Sequence, residues 1–173
     1  MYWSEDESRL GMLTEQGRRI TAKGVKPKGK VQWEFQYRWV YGAVSPQSGE
    51  SFFWEFSHLN SACFGEFLQR LSDAYPEHLH VIQVDGARAH TAKKLQIPSN
   101  IRLLLQPPYC PEVNVIERVW QEFKRKVQWR LYEDIEAVQS SISEWVQSLS
   151  PEQVKSLTQW AWLMDGLSAS AIY

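Results

Sequence analysis

"VIQVDGARAHTAKKL" occupies residues 81–95, and its first half decides the fold. Residues 81–84 read as a buried strand, and that strand stops on a carboxylate, Asp85. Asp-Gly is a strong hairpin signal. The "ARAHTAKKL" that follows Gly86 is patterned like a helix instead, which predicts a short helix over about 88–95. An acid then stands where a buried strand meets a helix, at the rim of a sheet, a place suited to a metal ligand. A lone Asp there is more often a turn residue, so the other acids must decide between the two.

Outward from this stretch, the elements fall into order. "MYWSED" alternates and reads as a short first strand. Residues 9–35 are basic, contain Gly and Pro, and read as an irregular excursion or hairpin. "YRWVYGAVS" (37–45) and "ESFFWEF" (50–56) are strands joined by the turn "PQSG". Asn60 or Ser61 caps a helix to about Tyr75, with Phe64, Phe67, Leu68 and Leu71 on one face. "IRLLLQ" (101–106) is another buried strand, closed by "PPYCP". The last third is helical, and Ser150-Pro151-Glu152-Gln153 has the pattern of a capping box with Pro at the first helical position. Hairpins first and crossovers later predict a mixed sheet with helices on its faces.

The 173 residues suit one domain with a sizeable core, and 43% hydrophobic content with nine Trp marks a globular chain. No apolar run approaches the ~18–20 residues that span a bilayer, and "MYWSEDES" has no secretory pattern. Cys63 and Cys110 lie far apart and outside any CxxC, which argues against a zinc knuckle or disulfide framework and for a reducing, intracellular compartment. The net charge of −1 hides a segregation. Residues 9–30 hold seven bases and one acid, whereas residues 131–173 hold six acids and one base. A polyanion would dock on the first region and be repelled by the second. A solvated basic loop explains the first region equally well.

"PPYCPEVNVIERVWQEFKRKVQ" (107–128) supplies a further acid. Read as one helix, Val113, Ile116, Trp120, Phe123 and Val127 form the core stripe. Glu117 falls beside Val113 at the edge of that stripe, with Asn114, Gln121, Lys124 and Gln128. An acid at a core boundary is desolvated and needs a partner, commonly a cation. Arg118 and Arg125 lie farther round, toward solvent. Taken singly, Asp6, Asp85 and Glu117 are ordinary surface, turn and helix-edge acids. Together they place one acid on the first strand, one at the end of a central strand, and one on the helix after the next strand.

"EDESRLG", "VIQVDGARAH" and "LLLQPPYCPEVNVIERVWQEFK" together resemble the catalytic domain of DDE transposases of the mariner superfamily, and within it the bacterial insertion-sequence (IS six-thirty) branch. That family shows Asp-Glu after the first strand, Asp-Asn-Ala-x-x-His, and Pro-Pro-Tyr-Ser-Pro-x-Leu-Asn-Pro-Ile-Glu. The resemblance covers nearly the whole chain. It implies an α/β, ribonuclease H-like (retroviral integrase-like) fold, a mixed central sheet flanked by helices, with Asp6, Asp85 and Glu117 as the carboxylate triad. Gly86, Cys110 and Val115 depart from the family's usual Asn, Ser and Pro.

The same resemblance implies metal-dependent hydrolysis and strand transfer of transposon ends. Two Mg²⁺ or Mn²⁺ ions would be held by the triad, Asp85 bridging them. His90 is expected near the scissile phosphate. Arg18, Arg19, Lys23, Arg88, Lys93, Asn114, Arg118 and Arg125 are the remaining candidate contacts to DNA phosphates. The expected partners are transposon-end and target DNA and a second copy in a synaptic dimer, with no membrane, in the bacterial cytoplasm at the nucleoid. The family carries helix-turn-helix modules upstream. Met1 lies five residues before Asp6 and no such pattern is found, so residues 1–173 are expected to be a single catalytic domain, whose DNA-reading half comes from another reading frame or is lost. Two alternatives stay open: a ribonuclease H-like DNA endonuclease outside transposition, and an inactive remnant acting as a binding partner.

Overall fold

The computed structural model describes residues 1–92 and 94–170. Five strands form one sheet: β1 (Tyr2–Gly11), β2 (Tyr37–Val44), β3 (Ser51–Phe56), β4 (His80–Val84) and β5 (Ile101–Leu105). The order across the sheet is β3-β2-β1-β4-β5. β1, β2 and β3 pair antiparallel, as hairpin-connected strands do, and β4 and β5 join in parallel. The predicted mixed sheet is therefore present, with the first strand at its centre. β1 is longer than "MYWSED" suggested because it continues as β2's partner to Gly11↔Tyr37, well past the last residue it shares with β4.

Helices α1 (Ser61–Ala74), α2 (Glu117–Val127), α3 (Ile135–Ser148), α4 (Pro151–Thr158) and α5 (Ala161–Ser170) complete the chain. Asn60 caps α1 through Cys63 N–H, and Ser150 and Gln153 form the expected reciprocal capping box on α4. The strand period of two divides β1 between two cores. Trp3 packs with Phe64, Phe67, Leu68 and Leu71 of α1. Leu10 packs with Val119, Trp120, Phe123 and Val127 of α2 and with Ile142 and Trp145 of α3. The basic excursion, residues 12–36, has neither helix nor strand. Met12 N–H to Gln36 O and Thr14 N–H to Gln32 O pin its base like a hairpin stem. Trp129 N–H to Glu15 O and Gln32 to Tyr132 dock it beyond the far end of α2.

Two sequence expectations fail, both beside the acids. No helix forms among the described residues of 88–95: Ala87 O accepts from His90 N–H and Thr91 N–H, and the turn goes no further. The long helix starts at Glu117, not near Val113. A 3₁₀ turn (Pro111–Val113) comes first, and Asn114 then leaves helical conformation (φ −93°, ψ 99°). The reason is tertiary. Asn114 is buried, takes the Ser4 hydroxyl's hydrogen bond and donates through Nδ2 to Glu5 O at 2.9 Å. No helix can supply those partners.

Candidate active site

β1 carries acids on both faces. Asp6 points toward α2 and its neighbours Glu5 and Glu7 point toward α1, because successive strand residues alternate. Ser4 shares Asp6's face. Its hydroxyl also accepts the Ile116 N–H at 3.3 Å, so Ser4 and Asn114 together fasten the start of α2 to β1. Glu117, the first residue of α2, is thereby held on the same side as Asp6. Gln83 of β4 adds a further tie, donating to Val113 O.

Gly42 of β2 lies opposite Asp6. A Cβ there would meet Trp120 Cη2 at 2.8 Å and the Phe53 ring at 2.7 Å. Its absence lets the Trp120 indole lie across the sheet, where Nε1–H donates to Asp6 Oδ2 at 3.1 Å. Burial, then the charges of Glu117 and Glu7, and least that of Asp85, push Asp6 up to about 8 against an acid's ordinary 3.8, with a backbone hydrogen bond at Glu7 opposing. The negative charge here is uncompensated among the described residues, and Asp6 couples more strongly to Glu117 than to Asp85.

Asp85 follows the last residue of β4. Continuing the β1–β4 register two steps beyond Ser4↔Gln83 puts it opposite Asp6, on a strand ~4.8 Å away. Oδ1 accepts from Ala87 N–H at 2.8 Å and lies 2.8 Å from His90 Nδ1. Oδ2 has no protein partner among the described residues. The Asp-Gly turn and the rim acid are thus the same residue: the turn fixes one oxygen and leaves the other toward solvent.

The candidate DNA contacts divide. His90 and Asn114 are both 4% exposed and their polar atoms are engaged inside the protein, so neither offers a donor to a phosphate here. His90 instead pairs with Asp85 and Glu7, and Asn114 ties the start of α2 to β1. Arg118 is exposed, lies 4.9 Å over the Trp160 ring, and shares a surface hollow with Glu117, Gln121 and Glu112. Arg125 is paired with Glu122 at 2.7–3.2 Å. Arg19 stacks 4.2 Å over Trp129 and donates to Lys28 O, so it holds the excursion's shape. Arg18, Lys23 and Arg88 are exposed. Lys93 lies outside the described residues. Sequence reasoning missed Gly42, Ser4, Glu5 and Glu7. Glycine inside a strand was a usable signal of close approach, and the three consecutive acids of "SEDES" were a signal of two acidic faces.

The fold is a ribonuclease H-like mixed sheet with carboxylates on β1, just past the end of β4 and at the start of α2, and the comparisons resolve it further. Residues 1–139 match the DDE superfamily endonucleases, and the chain belongs to that family. It is 30% identical over 86 residues to the uncharacterized protein y4pE/y4sA of Sinorhizobium fredii (strain NBRC 101917 / NGR234), which covers 49% of this chain and 64% of the relative. Among solved structures, it superposes on the Mos1 transposase paired-end complex with left transposon end. The TM-score is 0.71 at 13% identity, over 91% of this chain and 51% of that one. The Mos1 strand transfer complex matches with TM-score 0.71 at 14% identity, over 91% and 50%. The chain therefore spans about half the length of these transposases.

Proposed function

We propose that this chain is the catalytic domain of a DNA transposase of the bacterial insertion-sequence branch, cutting and joining strand ends with Asp6, Asp85 and Glu117. The observation that carries the reading is the arrangement of three acids: Asp6 on the central strand, Asp85 opposite it at the end of the parallel neighbour, and Glu117 at a helix start tied to Asp6's face through Ser4. An all-oxygen set of this kind suits Mg²⁺ or Mn²⁺ and is a poor match for zinc. Such ions would relieve the crowding of acids that makes Asp6 hold its proton. Two bound ions supply an activated nucleophile and a stabilised leaving oxygen.

The chain's own residues do the positioning. Trp120 holds Asp6 through Oδ2 on the face that Glu117 shares. His90 and the Ala87 amide occupy Asp85 Oδ1 and leave Oδ2. Ser4 and Asn114 hold Glu117 in place, at the positive end of α2's dipole. Arg118 and Arg88, with the exposed bases of residues 12–36, supply phosphate contacts without base readout. The substrate reading extends to transposon-end and target DNA, to a synaptic homodimer and to an upstream helix-turn-helix half, with the nucleoid as the site of action.

The test is incubation of the purified chain with end-containing and supercoiled DNA in Mg²⁺ or Mn²⁺, resolving nicked and joined products on gels. Metal-dependent nicking lost in Asp85→Asn is the expected result. Joined products separate transposition from hydrolysis alone. Absence of cleavage with either metal, or full cleavage by Asp85→Asn, would overturn the reading.

A further inference from the structure

Behind the proposed catalytic acids, on the α1 face of β1, lies a second acidic group. Glu5 is fully buried and neither of its carboxylate oxygens has a hydrogen-bond partner. Glu7 and His90 face it: His90 Nε2 is 3.1 Å from Glu7 Oε1 and 3.9 Å from Glu5 Oε2. One ligand atom from each of the three lies within 4.8 Å of the others. The Phe64 ring, 4.3 Å from the imidazole, walls the space on the α1 side.

The hydrogen-bond roles narrow what belongs there. His90 Nδ1 has only acceptors around it, Asp85 Oδ1 at 2.8 Å and Asp85 O at 3.2 Å, so Nδ1 carries a proton. Nε2 then aims at two carboxylates. A proton on Nε2 satisfies Glu7 and leaves Glu5 with nothing, yet a buried carboxylate is retained only when something pairs with it. One divalent cation satisfies all three donors together. Ligand atoms ~2.1 Å from a shared ion lie about 2.9–3.4 Å apart, between right-angle and tetrahedral arrangements. The His90–Glu7 pair at 3.1 Å is already at that spacing, and Glu5 Oε2 would close in from 3.9 Å of Nε2. The Asp85–His90 pair behind the site has the form of a carboxylate–histidine–metal relay, which orients the ring and sharpens its basicity.

We infer that Glu5, Glu7 and His90 form a closed, structural site for one first-row divalent transition metal, of the zinc or manganese class, that braces His90 and through it Asp85. The imidazole and the enclosure favour such an ion over Mg²⁺, which keeps its waters. The site faces away from Asp6 and Glu117 and does not depend on the catalytic reading.

The test starts from the full chain, purified without added metal, passed through EDTA and assayed for bound metal by plasma mass spectrometry. About one equivalent of zinc or manganese is expected. The near-isosteric Glu5→Gln and His90→Gln should lose it, and the Asp6→Ala/Glu117→Ala double variant should keep it. As a second readout, Co²⁺ refolded into the wild type should give visible absorption that Glu5→Gln lacks and the double variant retains. Two results would overturn the inference. One is metal that leaves with Asp6 and Glu117 and not with Glu5. The other is a wild type that binds neither metal nor Co²⁺, while Glu5→Gln melts higher than it, marking Glu5 as a buried neutral carboxyl.

Discussion

The two faces of β1 carry acids in opposite circumstances. On the α2 face, Asp6 takes the Trp120 indole N–H and shares its surroundings with Glu117, which lines a surface hollow. On the α1 face, Glu5 is sealed from solvent and Glu7 meets His90 against the Phe64 ring. Three consecutive residues thus serve one open and one closed arrangement, and Asp85 at the end of the neighbouring strand touches both. Strand alternation, not residue type, separates the two groups of acids.

The largest expected effect comes from the proposed catalytic acids. Asp85→Ala and Glu117→Ala should each lower metal-dependent DNA cleavage by more than the ~10–100-fold typical of a residue that merely supports a metal ligand. Removing one acid relieves like-charge repulsion. Asp85→Ala also strands the Ala87 N–H and the buried His90 Nδ1 and should melt lower, whereas in Glu117→Ala the metal-free melting temperature, followed by circular dichroism, should hold or rise. A loss of several kcal/mol in Glu117→Ala would instead move that residue to a structural role.

Next comes the backing of the open face. Gly42→Ala pushes against Trp120 and Phe53 and should cost about 1–3 kcal/mol by overpacking. Denaturant melts measure that cost, and cleavage should fall because Asp6 loses its indole donor. Asn114→Leu leaves the Ser4 hydroxyl and Glu5 carbonyl unpaired, and should cost a similar ~1–3 kcal/mol.

The pH dependence sharpens the contrast further. Asp6's folded value of about 8 stands above its ordinary 3.8, so the folded state holds this proton more tightly than the unfolded one. Its contribution is complete below about pH 4 and is lost as pH rises through about 8. Glu5, raised chiefly by burial, acts in the same direction. On His90, burial alone would lower the value. The Glu7 hydrogen bond and the charges of Glu7 and Asp85 outweigh it, so His90 also loses its contribution with rising pH. Metal-free protein should therefore melt lower at pH 8 than at pH 5. Asp6→Asn, which keeps an acceptor for Trp120, should show a shallower fall, and Mg²⁺ should offset it in the wild type. An unchanged slope in Asp6→Asn would detach Asp6 from the effect.

A smaller effect concerns the basic excursion. Arg19 is tied to Trp129, so Arg18, Lys23 and Lys26 are the cleaner set to change to Gln. Binding to specific and scrambled duplexes should weaken equally in a salt titration, with a slope flatter by up to ~0.9 for each phosphate no longer neutralised. The smallest effect belongs to Gly86. An added Cβ there meets nothing within 4 Å, so Gly86→Asn should stay within about 0.5 kcal/mol of the wild type.

By itself the sequence determined the sheet. Alternation, turn residues and caps are local, so β2, β3, α1, β4 and β5 lie close to where their patterns put them. The three motif blocks likewise marked Asp6, Asp85 and Glu117. What only the tertiary structure decided is how those acids are held. α2 starts at Glu117 because Asn114 takes hydrogen bonds on a strand more than a hundred residues away, which no periodicity records. His90 turns inward because Glu7 and Asp85 await it, so the expected helix at 88–95 stops at one turn among the described residues. Gly42 looks like a weak strand residue until Trp120 is seen lying against it. Each of these depends on a partner distant in the chain, and burial sets its energy. Neither the partner nor the burial exists until the chain has folded.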